Sequence, residues 1–403
     1  MDILNKLYEM TAFGDIFGNP GYIVMLLIGC LLLYLGIKKQ YEPLLLIPIG
    51  FGVILANLPG GGMGVVDASN IQLADGRYMN FFEIAHEYGI MNLLYYSLIK
   101  TGLLPPIIFM GVGALTDFGP MLRNLKLAFF GAAAQLGIFI VIFAAIFLGF
   151  TPKEAASLGI IGGADGPTAI YTTIKLAPQL LGPIAIAAYS YMALIPVILP
   201  FVSKLLCSKK ELMINMKEMD RKYPPKVKIK NLHVVKIIFP VLLGIVICIF
   251  VPSSVPLLGM LLFGNLVKEI GISVGRLSDT ITNAIMNTAT IFLGLTVGAT
   301  MTADVFLNWK TIMILVGGFL AFAISILGGI SAVKITNLFN KKKINPLIGA
   351  TGLSAVPMAS RVANEIALEH DPSNHILQYC MSSNISGVIG SAVAAGVLIS
   401  FLG

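Results

Sequence analysis

The sequence predicts an all-α polytopic membrane protein, and three observations support this. Only 12% of the 403 residues are charged and 57% are hydrophobic, whereas soluble domains carry roughly 25% charged residues. The apolar residues form long continuous runs, without the alternation over about ten residues that marks a membrane β-barrel. Several runs reach the roughly 20 residues that a transmembrane helix needs. Soluble enzyme folds are therefore excluded.

Ten apolar runs give the expected membrane spans. They lie at 21–37, 42–58, 92–115, 127–150, 181–203, 237–251, 254–268, 284–301, 311–334 and 381–402. Two further stretches, about 155–178 and 345–368, are apolar but interrupted by Gly, Pro and polar residues. Non-helical backbone at membrane depth is tolerated only where it is buried in protein or lines a wet cavity. These two stretches are therefore expected to be re-entrant or broken helices and to form the working site.

The charge pattern predicts which loops face the cytoplasm. Segment 204–236 holds ten of the 27 Lys and Arg residues, whereas segment 59–91 holds four acids and a single Arg. By the positive-inside rule the first segment is cytoplasmic, and the second is expected to be extracytoplasmic. The net charge of +7 thus reflects cytoplasmic loops, and no nucleic-acid partner is expected. The assignments agree only if each broken stretch returns to the side from which it entered.

Weak internal matches predict that the chain contains a repeat. The matches pair 163–169 with 349–355, 112–114 with 297–299, and Pro48 and Asn57 with Pro256 and Asn265. They recur in the same order, and each half then holds five spans and one re-entrant element, starting from opposite sides. This pattern predicts an inverted repeat, as in many secondary transporters. The predicted units are a first repeat at 1–203, the basic loop at 204–236 and a second repeat at 237–403.

Asp165 is the strongest candidate for an ion site. A carboxylate at the bilayer centre costs about 2.5–3.5 kcal/mol on insertion scales and is tolerated where it faces an ion or a wet cavity. Gly162, Gly163, Gly166 and Pro167 surround it and interrupt the helix. One carboxylate with freed carbonyl groups would form an oxygen cage for a hard cation. The alternative is a turn in which Asp165 caps a helix.

Other polar residues in or near the broken stretches are further candidates, and some of them have two interpretations. Asn345 and Ser354 offer neutral oxygen atoms. Arg361 could hold an anionic substrate group or extend its side chain to the cytoplasmic surface. Asn384 could bind an ion or join two helices. Tyr189 and Tyr191 could be interface residues, or one of them could reach the cavity.

Three motifs carry a resemblance to a known family. Gly162-Gly-Ala-Asp-Gly-Pro-Thr168, Thr116-Asp-Phe-Gly-Pro120 and Asn345…Gly349…Ser354…Arg361 resemble the β subunit of the bacterial biotin-dependent, sodium-pumping decarboxylases that act on oxaloacetate, methylmalonyl-CoA or glutaconyl-CoA. The resemblance extends from about residue 20 to 403. It implies sodium ligands and catalytic residues at specific positions. The implied sodium-binding residues are Asp165, Asn345, Gly349 and Asn384, and the implied catalytic residues are Tyr191, Ser354 and Arg361, with Arg361 also holding carboxybiotin.

The resemblance implies a translocase of the bacterial inner (cytoplasmic) membrane. Such a subunit decarboxylates carboxybiotin that a partner delivers from the cytoplasm, consumes a proton and drives sodium outward. It uses Na+ and carboxybiotin, with no covalently bound cofactor in this chain. The implied partners are a biotin carrier subunit, a carboxyltransferase α subunit and a small single-span membrane subunit. A homo-oligomer within this larger complex is also expected.

Without the resemblance, the pattern favours a second hypothesis. An inverted repeat with paired broken helices also fits a stand-alone secondary transporter, either a sodium/proton antiporter or a sodium-coupled anion symporter. The partner set separates the two hypotheses, because a pump subunit requires a biotinylated partner and a symporter works alone. A purely structural scaffold would leave Asp165 and the two broken stretches unexplained.

Overall fold

The computed structural model describes residues 11–40, 42–66, 79–224, 231–355 and 357–403. All regular secondary structure in these ranges is helical, which confirms the predicted all-α membrane class. Asp67 and Asp75 of the expected extracytoplasmic segment lie outside these ranges.

The helices of the first half and of the basic segment are closely spaced. In the first half they are Phe13–Gly18, Pro20–Ile37, Pro43–Ala56, Phe81–Leu94, Leu104–Leu115, Gly119–Arg123, Leu125–Ala134, Leu136–Phe147, Pro152–Gly159, Gly166–Leu176, Leu181–Ala193 and Ile195–Leu206. Two short helices, Lys209–Leu212 and Met216–Lys222, follow in the basic segment.

The second half contains the longest helices. Its helices are Leu232–Phe250, Val255–Ile270, Gly275–Asp279, Met286–Ala299, Ala303–Phe306, Trp309–Phe339, Leu347–Ala350, Met358–His370 and Leu377–Leu402. Below, Trp309–Phe339 is called the long helix and Leu377–Leu402 the C-terminal helix.

All ten predicted apolar runs coincide with helices. Within the described ranges, seven helical spans are long and apolar enough to cross a membrane. Two pairs of helices, bent by 65° and 66°, raise the number to nine if each pair is one span. The remaining run, 42–58, is the 14-residue helix Pro43–Ala56, which is shorter than a typical span.

The first broken segment, residues 152–176, is interrupted at the predicted place. Its first helix, Pro152–Gly159, ends in a 3-10 turn over Ile160–Gly163. Ala164 then adopts a left-handed backbone with φ 55° and ψ 43°, a conformation that non-glycine residues rarely take. The next helix, Gly166–Leu176, begins directly after Asp165 and carries Pro167 in its first turn, where proline is favoured.

The second broken segment, residues 345–370, consists of Leu347–Ala350 and Met358–His370 with a turn between them. The tip of this turn packs tightly between helix Leu125–Ala134 and the C-terminal helix. A Cβ on Gly352 would lie 2.6 Å from the Cβ of Ala134, and a Cβ on Gly387 would lie 2.2 Å from the carbonyl oxygen of Gly352. Glycine is therefore required on both sides of this contact.

The basic segment is attached to the second broken segment. The side-chain nitrogen of Asn345 donates to the carbonyl oxygens of Leu212 (2.8 Å) and Ile214 (3.1 Å). Lys334 pairs with Glu211 at 3.1 Å. The described part of this segment is thus packed against the membrane helices.

Candidate functional site

The two broken segments meet through their backbones. The amide N–H of Ser354 donates to the carbonyl oxygen of Gly163 at 2.9 Å. Gly163 comes two residues before Asp165, so this bond joins the interruption of one segment to that of the other. Both broken segments therefore contribute to a single site.

Asp165 lies at this junction and is only 7% exposed. Its Oδ2 accepts hydrogen bonds from the hydroxyl groups of Thr168 (2.6 Å) and Ser391 (3.1 Å). Ser354 extends the network, because its hydroxyl donates to the Ser391 hydroxyl at 3.0 Å. The ion pairs formed within the described ranges do not include Asp165. A buried carboxylate without a countercharge is costly, so the site suits a bound cation.

Two side-chain amides hold the second interruption. Asn384, on the C-terminal helix, donates from Nδ2 to the carbonyl oxygens of Thr351 (3.2 Å) and Leu353. Gln135 donates from Nε2 to the carbonyl oxygen of Gly352 at 3.1 Å. The oxygen atoms of both amides are buried and have no hydrogen-bond partner among the described residues. Each amide thus fixes a freed carbonyl group and keeps its own oxygen available.

The donor set favours an alkali cation over a transition metal. Where the chain is described, no group of three or more His, Cys, Asp or Glu residues could hold a metal ion. The groups around Asp165 are instead one carboxylate and neutral hydroxyl and amide oxygens. Hard cations prefer such oxygen ligands, and a single negative charge matches a monovalent ion.

Asn345 and Gly349 lie in the second broken segment but make different contacts. The Asn345 amide bonds to the basic segment, and its Oδ1 accepts from the backbone N–H of Leu347 at 3.0 Å. Gly349 crosses the long helix closely, since a Cβ placed on it would lie 2.1 Å from the carbonyl oxygen of Gly329. Neither residue bonds to the hydroxyl groups around Asp165, and their role as sodium ligands stays a prediction.

Arg361 is exposed in the first turns of Met358–His370. It forms no ion pair with another residue of the described ranges. The N-terminus of a helix carries partial positive charge, so Arg361 and the helix end both favour an anion. The assignment of carboxybiotin to Arg361 stays a prediction.

The two tyrosines face different neighbours. The hydroxyl of Tyr191 donates to the carbonyl oxygen of Leu315, and its ring packs against Phe319 and Phe322 of the long helix. Tyr189 instead lies beside the first interruption, because a Cβ on Gly166 would lie 2.0 Å from its ring. The Tyr189 hydroxyl is buried without a described partner. The catalytic role predicted for Tyr191 is untested, and of the two rings it is that of Tyr189 that lies next to Asp165.

Sequence reasoning missed three residues of the site, namely Thr168, Gln135 and Ser391. Thr168 stands in the same motif as Asp165. Ser391 follows Asn384 by seven residues, which places both on one face of a helix. Gln135 is an amide within the predicted apolar run 127–150, and a polar residue in a span commonly bonds to another helix.

Known proteins are similar to this chain over nearly its whole length. Residues 21–402 match the family model of the Na+-transporting oxaloacetate decarboxylase beta subunit. The chain is 47% identical to the methylmalonyl-CoA decarboxylase subunit beta of Propionigenium modestum, over 98% of both chains. It is 43% identical to the oxaloacetate decarboxylase beta chain of Klebsiella pneumoniae, over 100% of this chain and 99% of the relative. It is 46% identical to the glutaconyl-CoA decarboxylase subunit beta of Acidaminococcus fermentans, over 95% of this chain and 94% of the relative.

Proposed function

Because the chain belongs to the beta-subunit family of the sodium-transporting decarboxylases, we propose that it decarboxylates carboxybiotin and uses the reaction to move sodium outward. It is a multi-pass protein of the bacterial inner membrane. The observation that carries the proposal is the buried Asp165 carboxylate between two broken segments. Its hydroxyl partners and the nearby unpartnered amide oxygens support a sodium site.

In this proposal sodium binds at Asp165, with Asn384 supplying a neutral oxygen. Ser354 and Ser391 complete the hydrogen-bonded shell around the carboxylate. Asn345 and Gly349 are included as site residues, and their contacts support a role in holding the second broken segment in place. The site is then formed by elements that are distant in sequence.

Carboxybiotin is the substrate that a partner subunit brings from the cytoplasm. The bond between the carboxyl carbon and the ureido nitrogen breaks, CO2 leaves, and the nitrogen takes up one proton. Arg361 would hold the carboxylate of the substrate by a charge-assisted contact, with Tyr191 as a further catalytic residue. The carboxyltransferase subunit of the complex selects the acid or acyl-CoA whose carboxyl group is transferred to biotin.

Coupling follows from competition at Asp165. A sodium ion beside a carboxylate lowers its affinity for a proton, and a proton removes the charge that attracts sodium. Proton entry would therefore favour sodium release. The affinity for sodium is expected to fall as the pH falls.

The proposed complex contains a biotin carrier, a carboxyltransferase α subunit and a small single-span subunit, with more than one copy of this chain. The alternative of a stand-alone secondary transporter is not favoured, because the relatives are named as decarboxylase subunits.

The test measures decarboxylation of free carboxybiotin and uptake of radioactive sodium by the complex reconstituted in liposomes. We expect Asp165→Asn to lose sodium stimulation of both processes by more than tenfold. Asp279→Asn, at an exposed position, is the matched control and should behave like the wild type. Sodium stimulation that survives in Asp165→Asn would contradict the site. Sodium flux without any decarboxylation in the wild type would contradict the reaction.

A further inference from the structure

A glutamine from a third element reaches the junction of the broken segments. Gln135 lies where Leu125–Ala134 and Leu136–Phe147 join, and its backbone N–H bonds to the carbonyl oxygen of Ala132 at 3.1 Å. This i to i+3 bond tightens the helix locally. The side chain is only 6% exposed.

The orientation of this side chain is fixed by its nitrogen. Nε2 donates to the carbonyl oxygen of Gly352, 217 residues away in sequence, at 3.1 Å. Because that nitrogen is committed to the second broken segment, Oε1 points elsewhere. It is buried and accepts no hydrogen bond from the described part of the chain.

The free oxygen lies beside the Asp165 network. A Cβ placed on Gly163 would lie 3.3 Å from Oε1 of Gln135 and 2.9 Å from the Cβ of Ser391. Gly163 is thus flanked by both side chains, and the Ser391 hydroxyl donates to Asp165. A side chain at position 163 would contact both of them.

We infer that Oε1 of Gln135 is a ligand of the transported sodium ion, an inference that rests on the proposed function at Asp165. A buried amide oxygen without a partner has lost its hydration with no compensating contact. A hard cation bound to the Asp165 carboxylate would satisfy it.

A neutral ligand at this position discriminates sodium from protons. The carboxylate of Asp165 attracts either cation, whereas an amide oxygen does not titrate in the physiological range. Gln135 therefore strengthens sodium binding without strengthening proton binding. A second carboxylate in its place would add a like charge beside Asp165 and a further group that competes for protons, and it would make sodium binding strongly pH-dependent.

The experiment compares Gln135→Leu and Gln135→Glu in the purified complex with its partner subunits. Two quantities are measured at pH 6 and pH 8: the sodium concentration for half-maximal decarboxylation of free carboxybiotin, and the rise in Tm when NaCl replaces KCl. Both variants lose the Nε2 donor, but only Gln135→Glu keeps an oxygen ligand. Gln179→Leu, at an exposed position outside the site, is the control for a loss of glutamine.

We expect Gln135→Leu to raise the half-saturating sodium concentration at least tenfold at both pH values and to lose the Tm rise. Gln135→Glu should stay within about threefold of the wild type at pH 8. At pH 6 it should need at least tenfold more sodium than the wild type at that pH.

Two results would overturn the inference. The first is wild-type sodium dependence in Gln135→Leu. The second is equal impairment of both variants at both pH values, which would assign the effect to the Nε2 donor. If Gln135→Leu does not assemble, the pH comparison of Gln135→Glu decides alone. Asp165→Asn, measured in parallel, separates the two proposals, because wild-type sodium dependence in that variant removes the ion site itself.

Discussion

Asn57 and Asn265 make the same hydrogen bond in the two halves of the molecule. The Nδ2 of Asn57 donates to the carbonyl oxygen of Met301 at 2.7 Å, and the Nδ2 of Asn265 donates to that of Thr116 at 2.7 Å. Asn265 follows Asn57 by 208 residues and Met301 follows Thr116 by 185, the offsets of the internal sequence matches. Each half therefore supplies the asparagine for one contact and the acceptor for the other. The opposite membrane orientation of the halves stays a prediction.

This reciprocal contact predicts that Asn57→Ala and Asn265→Ala both destabilise the protein, with Asn57→Ala the more severe. Asn57→Ala removes the amide donor of the Met301 carbonyl oxygen and the acceptor of the Ala303 N–H, and a buried polar group left without a partner costs about 1–3 kcal/mol. In Asn265→Ala the Thr116 carbonyl oxygen keeps a bond from Lys268 at 2.9 Å. Both variants should lower the Tm of the solubilised complex. Asn340→Ala, at an exposed position, is the control. A large effect in one variant and none in the other would argue against equivalent roles.

Gly349→Ala is expected to destabilise the protein. The added Cβ would lie 2.1 Å from the carbonyl oxygen of Gly329, and forcing such a contact typically costs 1–3 kcal/mol or more. Gly328→Ala is a matched control on the same long helix, because its Cβ would meet its nearest atom at 3.4 Å. The yield and Tm of the assembled complex measure both. Normal Tm in Gly349→Ala would rule out the close crossing.

Asn345→Ala is expected to loosen the basic segment. Asn374 also donates to the carbonyl oxygen of Ile214, at 3.1 Å, so Asn374→Ala removes a comparable anchor. Both variants should increase the rate of trypsin cleavage between residues 204 and 236. Suppose instead that Asn345→Ala is cleaved like the wild type but needs tenfold more sodium for half-maximal decarboxylation. That result would support direct sodium binding by Asn345.

Ser354 and Ser391 should act as a unit. Their hydroxyls are 3.0 Å apart, and that of Ser391 bonds to Asp165. We expect Ser354→Ala and Ser391→Ala each to raise the half-saturating sodium concentration several-fold. The double variant should be less impaired than the product of the single effects, because groups in one network are not additive. Fully multiplicative effects would show that the two hydroxyls act independently.

Glu211 predicts a pH dependence of the attachment of the basic segment. Partial burial opposes its charge, but hydrogen bonds from Ser208 and Lys334, with the Lys334 charge, hold the pKa of Glu211 below its ordinary value. Because its pKa is lowered, ionised Glu211 stabilises the folded state at pH values above its ordinary pKa of 4.5. This stabilisation is lost as the pH falls through the lowered pKa. The Tm difference between wild type and Glu211→Gln should therefore be largest above about pH 5.5 and vanish in acid. A difference that persists unchanged in acid would contradict the ion pair.

The spans, the two interruptions and the position of Asp165 at the first of them could be predicted from the sequence. Apolar runs and helix-breaking residues are local signals. The sequence could not assign Tyr189 and Tyr191, since residues two apart face nearly opposite sides of a helix and only packing decides between them. Gln135 was missed because its acceptor, Gly352, is distant in sequence. The two interpretations of Asn384 are compatible, since its nitrogen joins the C-terminal helix to the turn of the second broken segment while its oxygen has no hydrogen-bond partner among the described residues.

The oxygen atoms around Asp165 belong to separate pieces of the chain: the two broken segments, the helix junction at Gln135 and the C-terminal helix. None of these pieces holds all the ligands of the proposed sodium site by itself. Such a site can release its ion without a chemical change in any ligand. Moving one piece relative to the others would separate its ligands from the rest. In such a pump, the affinity for sodium depends on how closely the neighbouring helices pack. The free energy of decarboxylation would then drive these helices apart.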